Sequence, residues 1–256
     1  MNTSKKLLFC QFQPQEFEQI CQLLCSIFKT TPEQLKSLYQ EINNTFDEPN
    51  WPMHFTERNF WESLNPSFQN VYRRSPVVAT DLPSLMEWDD GNENKPTVAV
   101  IAQDPKQGQD YEKLVIGTPF GLHHKGSREK LKLTKLYFDM LQDLLDLGYR
   151  VYLTDIWKMW VCNPENPYKS KTLPKVDQQN FLELLKPELE AIQSIAIITW
   201  GKPASNPIKS LNLETKHLEF PHPSGANGDT WKKLIGSATA EDKRDYWRKV
   251  ITQELG

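Results

Sequence analysis

Cysteine is scarce in this chain. Four thiols in 256 residues (Cys10, Cys21, Cys25 and Cys162) are too few to make a disulfide framework in a chain of this size. A reduced, cytoplasmic setting is therefore expected. Long apolar runs are also missing: nothing resembles a secretory leader and no stretch approaches a membrane span, so no membrane partner is expected. Excess charge of one sign is lacking too. Lys and Arg number 30 against 33 Asp and Glu, a net charge of −3. This excludes a polycation that coats nucleic acid, while a local basic footprint stays open. No G-x-G-x-x-G follows the first apolar strand, so dinucleotide binding is unsupported. Cys21 and Cys25 are spaced i, i+4 on an apparent helix, but no second Cys or His pair stands at ligand spacing. Buried structural thiols are the reading, and neither a metal nor an organic cofactor is expected.

What is present divides the chain in two. Residues 1–96 carry 8 basic and 13 acidic side chains, a balance of −5, so the remainder is +2. Over residues 14–45 the stripe Phe17, Ile20, Cys21, Leu24, Phe28 predicts a helix, and Thr31-Pro32-Glu33 opens a second. Residues 46–75 are aromatic and punctuated by Pro, with Trp51, Phe55, Phe60, Trp61 and Phe68. Glu87–Lys95 reads as a polar loop. From residue 97 onward, strand candidates at 97–102, 150–154, 195–200 and 216–220 alternate with helical patterns at 128–147, 177–193, 203–211 and 240–255. Leu131, Leu133, Leu136, Phe138, Leu141, Leu144 and Leu145 form the apolar side of the first of these helices. Strands separated by helices predict a parallel sheet with right-handed crossovers. The expected organisation is an N-terminal helical and aromatic extension over 1–96, packed on an α/β domain over 97–256.

Polar clusters stand just past these strands, where an open α/β sheet presents its ligand site. Gln103-Asp104-Pro105 follows the run 97–102. A carboxylate there can orient water or stabilise a developing cation; an Asp capping the next turn is the competing reading. Phe120, in Gly117-Thr118-Pro119-Phe120-Gly121, can stack on a flat ring or belong to the core. Asp155 ends the second strand, as a ligand's hydrogen-bond acceptor or a helix cap. His222 opens a loop punctuated by Gly and Pro that lets backbone approach a ligand. Gly121–Lys135 carries Lys125, Arg128, Lys130, Lys132 and Lys135 against Glu129 alone; it is either a phosphate-facing surface or a solvated loop and helix start.

The ordered set Ala102-Gln103-Asp104-Pro105, residues 117–121, Leu153-Thr154-Asp155, Ile198-Thr199-Trp200-Gly201-Lys202 and His222-Pro223-Ser224 resembles the uracil-DNA glycosylase superfamily over roughly residues 97–235. The resemblance implies a four-stranded parallel sheet flanked by helices. It implies an enzyme that flips a nucleotide out of DNA and hydrolyses the bond between base and sugar. It gives Asp104 water activation and stabilisation of the oxocarbenium ion, and His222 donation to pyrimidine O2. Gln103 makes a backbone contact to the base and Phe120 stacks on it. By position, Lys202 and Ser224 contact phosphate, with Lys125 and Arg128 on the basic stretch.

Three departures bear on the substrate. The residue matching the family's uracil-reading Asn is Asp155, which when ionised only accepts hydrogen bonds and so favours a cytosine amino group. Lys106 stands where a Tyr usually blocks substituents at pyrimidine C5. Gly225-Ala226-Asn227 replaces an apolar wedge, leaving Asn227 or Trp231 as substitutes. The expectation is a monomeric DNA glycosylase acting on a cytosine with a polar C5 group, hydroxymethylated or glucosylated as in some viral DNA, and serving antiviral defence. The alternatives are a uracil-DNA glycosylase of base-excision repair, a non-catalytic module that captures a damaged base, or an α/β protein acting on a small nucleotide.

Overall fold

The computed structural model describes residues 5–49, 55–56, 68, 78–92, 94–106, 114–163, 165 and 172–256. In chain order the elements are β1 (Lys6–Phe9), α1 (Pro14–Ile27), α2 (Pro32–Thr45), β2 (Phe55–Thr56), β3 (Val78–Asp81), β4 (Ser84–Asp89), β5 (Thr97–Ala102) and β6 (Leu114–Gly117). There follow α3 (Lys125–Lys130), α4 (Lys132–Asp146), β7 (Arg150–Asp155), β8 (Trp160–Val161), α5 (Lys175–Ile192), β9 (Ala196–Trp200), α6 (Lys202–Ser210), β10 (Lys216–Phe220), α7 (Gly228–Ile235) and α8 (Ala240–Leu255). None of the described helices is long and apolar enough to cross a membrane.

The molecule is α/β, with a mixed six-stranded sheet in the order β1-β4-β7-β5-β9-β10, flanked by helices. The four strands anticipated from the sequence are neighbours in it, and they run parallel. The departure from a four-stranded sheet lies at the β7 edge. There β4 and then β1 add antiparallel strands from the N-terminal third. Residues on both sides of position 96 thus build one sheet. Glu87, Trp88 and Asp89 lie in β4 rather than in a polar loop, because Leu8, Leu7 and Lys6 pair with them.

Every residue of β5, β7 and β9 is buried, as expected of parallel strands covered on both faces. The outer strand β10 alternates Lys216, His217 and Glu219 with apolar residues, and this charge protects its open edge. α1 and α2 each begin with Pro inside a reciprocal capping box, Gln13 with Glu16 and Thr31 with Gln34. In α4 the buried face is Leu136, Tyr137, Met140, Leu141, Leu144 and Leu145. Leu131 and Leu133 were expected on that face but are 46% and 41% exposed. Leu131 sits at the junction of α3 and α4, where the helix axis breaks and turns both side chains outward.

A second sheet has the order β2-β6-β3-β8. Its register sets Asp81 opposite Gly117, and Thr80 Oγ1 donates to the Lys158 carbonyl at 2.7 Å. The first tie fixes β3 on β6, and the second holds the end of β3 near the turn that follows β7. The aromatic positions Trp51, Phe60 and Trp61 lie outside the described residues.

Candidate functional site

Strand ends from both sheets converge on a cleft of about 630 Å³. Its lining includes Asp81, Gln103, Asp104, Lys106, Phe120, Asp155, Trp200 and His222. The register explains the convergence. Ala102 pairs with Asp155, so Asp104 leaves the sheet two residues past the point where Asp155 ends β7. The loop after β5 is tied to the loop after β7, with Ile156 N–H donating to Ala102 O at 3.0 Å and Trp157 N–H to Gln103 O at 2.9 Å. Gln103 therefore spends its carbonyl within the protein. Its side-chain amide donates to Asp104 Oδ2 at 2.8 Å and orients that carboxylate.

His222 is held as firmly. Its Nδ1 accepts from the Ser224 backbone N–H at 3.1 Å, and its carbonyl accepts from Trp231 Nε1 at 3.0 Å. Lys243 Nζ fixes the next carbonyl, that of Pro223, at 2.9 Å. Burial first, and the nearby Lys243 charge second, push the imidazole down to about 4. At neutral pH the ring is uncharged. Because Nδ1 is an acceptor, its single proton sits on Nε2, making Nε2–H the donor available to a ligand. Gly201 keeps this geometry open: at φ +93° it occupies the left-handed region, and a Cβ there would stand 3.4 Å from His222 Cβ.

Phe120 lies at φ 62°, the left-handed region in a residue with a side chain. Such a conformation costs about 1–2 kcal/mol and persists where the surroundings over-determine it. Here the ring is gripped by Trp200 at 4.8 Å and Tyr137 at 5.0 Å, centroid to centroid. The half-buried Phe120 presents its remaining surface to the cleft.

Asp155 is buried, and the nearest cation is already committed. Lys158 pairs with Glu188 at 2.5 Å, while Tyr152 and Thr154 hydroxyls both donate to Glu188 at 2.7 Å. Burial, reinforced by Asp81 and Asp104, drives the Asp155 carboxyl well above the usual range. That shift favours its protonated form. In that form the group both donates and accepts, whereas the ionised form considered from the sequence only accepts.

Asp81 is the lining residue that sequence reasoning missed. It is 8% exposed, and its Oδ1 has no hydrogen-bond partner among the described residues. Burial, then Asp104, raises its carboxyl to about 7. Trp200 Nε1 is a second buried polar atom of the lining without a partner. Orphans of this kind cost about 1–3 kcal/mol each, a cost that a ligand's polar groups can offset where they reach them.

The expected phosphate contacts are dispersed. Ser224 lines the cleft, and Lys202 is exposed at the start of α6. Lys125 stands 4.0 Å from Glu129. Arg128 is a correction. It is buried, and its guanidinium donates to Leu122 O at 2.6 Å, Phe46 O at 2.8 Å and Asp47 Oδ1 at 3.3 Å, with Phe46 stacked beneath it at 3.6 Å. Burial against the two main-chain carbonyls and the Phe46 ring, with the exposed Asp47 beside it, leaves it no surface role. Trp231 is fully buried, which removes it as a wedge. Among the described residues, no group of three or more Cys, His, Asp or Glu is arranged to hold a metal ion. No family model matches the chain, and no curated protein matches it.

Proposed function

We propose that the chain is a divergent member of the uracil-DNA glycosylase superfamily: a hydrolase that flips a base from DNA, excises it and leaves an abasic site. One observation carries this reading. An oriented carboxylate (Asp104), a neutral imidazole donor (His222) and an aromatic platform (Phe120) line one cleft beyond the ends of parallel strands. These are the groups that N-glycoside hydrolysis requires. The bond from C1′ to the base breaks with its electron pair going to the base. His222 Nε2–H stabilises the negative charge that develops on pyrimidine O2. Asp104 stabilises the cationic sugar and takes a proton from the water whose oxygen bonds to C1′. Phe120 stacks on the extruded ring.

The substrate we infer is a cytosine with a polar C5 substituent, such as the hydroxymethylated or glucosylated base of viral DNA. Lys106 is exposed at the cleft, next to Pro105. It can hydrogen-bond such a substituent where a Tyr would exclude it. Excision from invading DNA would serve antiviral defence. Leu133, exposed on the lining, is the apolar side chain placed to fill the gap left in the base stack. Ser224, Lys202 and Lys125 are the remaining candidates for phosphate. Uracil excision is the second reading: the protonated form that burial favours at Asp155 can also donate to a keto oxygen.

The test is base release from hydroxymethylcytosine DNA, with the Asp104→Asn protein as control. Release by the wild type alone, with the variant still binding DNA, is the expected result. Equal release by both proteins sinks the assignment of Asp104, and DNA capture without release by either favours a binding module.

A further inference from the structure

We propose that Asp81 and Asp155 form a two-carboxyl clamp for the exocyclic amino group of the bound base, with Asp81 the residue that selects amino over keto. The inference rests on the base-binding reading of the cleft and adds a specificity determinant to it.

Asp155 cannot make that choice alone. A protonated carboxyl has one O–H and one C=O, and the proton can sit on either oxygen. Against an amino-bearing face, O–H donates to the ring nitrogen and C=O accepts from the amino group. Against a keto-bearing face the two roles exchange. Both faces are satisfied, so Asp155 tolerates either. An amino group has two hydrogens, however, and Asp155 takes only one. Asp81 comes from the other sheet and lines the same cleft, with Oδ1 buried and without a partner among the described residues. It is placed there by the Asp81–Gly117 register and by the Thr80 hydroxyl on the Lys158 carbonyl. It can accept the second amino hydrogen, whereas a keto oxygen would meet an ionised Asp81 as one acceptor against another. A site that leaves a buried polar group unpaired against the wrong ligand discriminates strongly.

The clamp is pH-dependent. The groups around Asp81 are Asp104 beyond β5, Asp155 at the end of β7, the Lys158–Glu188 pair behind it, Lys106 at the cleft and neutral His222 across it. The Asp81 carboxyl, raised to about 7, is ionised above that pH and protonated below it. Protonated, it can donate to a keto oxygen and selectivity fades; ionised, it only accepts.

Two DNAs that differ only at C4 of the target base, 5-hydroxymethylcytosine and 5-hydroxymethyluracil, provide the test. Base release is compared from about pH 6 to about pH 8.5, for the wild type and Asp81→Asn. In parallel, binding of the two free bases is followed by tryptophan fluorescence. The expected wild-type preference for the amino base grows about 10-fold across this range. In Asp81→Asn it is small and flat with pH, since a neutral amide can turn either end to the base. A variant with undiminished, pH-dependent preference overturns the clamp, as does a wild type without amino preference in either assay. Absence of release from both DNAs, together with amino-selective binding of the free base that Asp81→Asn abolishes, overturns the glycosylase reading and upholds the clamp. Absence of both release and binding overturns both.

Discussion

At the residue scale, the account turns on protonation states that local contacts enforce. His222 is neutral from about pH 4 upward, so a rate profile between about pH 5 and pH 8 should carry no limb from this histidine near its ordinary value of 6.5. Replacing it, as in His222→Ala, removes the Nε2–H donor and should lower the rate of base release by roughly 100-fold or more, with substrate binding less affected. Single-turnover kinetics separates the two; a loss confined to binding would place His222 outside the chemistry. Asp81 carries a stability signature of its own. Its folded carboxyl titrates at about 7 against an ordinary 3.8, so the folded state holds a proton that the unfolded chain has released. Stability therefore falls as pH rises between these values. Asp81→Asn removes that penalty and should raise stability at pH 8 by an amount on the order of a few kcal/mol, with little change near pH 4. Urea unfolding at the two pH values measures it, and an equal effect at both would contradict the assigned titration. A binding site that costs stability is the usual trade-off in natural proteins.

At the scale of elements, the parallel strands were legible because burial on both faces demands unbroken apolar runs, and Thr97–Ala102 and Ala196–Trp200 are such runs. The start of α2 was legible from local cap chemistry, in Thr31-Pro32-Glu33. The second sheet was not. β3, β6 and β8 are two to four residues long, and their partners lie far away in sequence, so no periodicity marks them. One signal for Asp81 was nevertheless there. Val77-Val78-Ala79-Thr80 followed by Asp81-Leu82-Pro83 repeats the grammar of an apolar run ending in Asp and Pro that singled out Asp104. Arg128 shows the opposite failure. Its neighbours Lys125, Lys130 and Lys132 made it look like a surface cation, but Phe46 and Asp47 after α2 come across to enclose it, a contact no local pattern reveals. Arg128→Ala should thus cost about 3 kcal/mol of stability by stranding those buried carbonyls. Urea denaturation reads that cost, and a variant of wild-type stability that binds DNA more weakly would restore Arg128 to the phosphate surface.

At the scale of the whole molecule, the N-terminal third is part of the sheet and of the cleft. It supplies β1 and β4 to one sheet, and β3 with Asp81 to the other. The site is therefore built from both sides of the expected boundary. On the proposed reading, Asp104, His222 and Phe120 set the reaction, while Asp81, Asp155 and Lys106 set the base. The most direct measurement incubates the protein with four DNAs of one sequence carrying uracil, cytosine, hydroxymethylcytosine or glucosylated hydroxymethylcytosine, and scores abasic sites. The account predicts abasic sites in one or both modified-cytosine DNAs and few in the other two. Abasic sites in uracil DNA alone, or in none of the four, would contradict it.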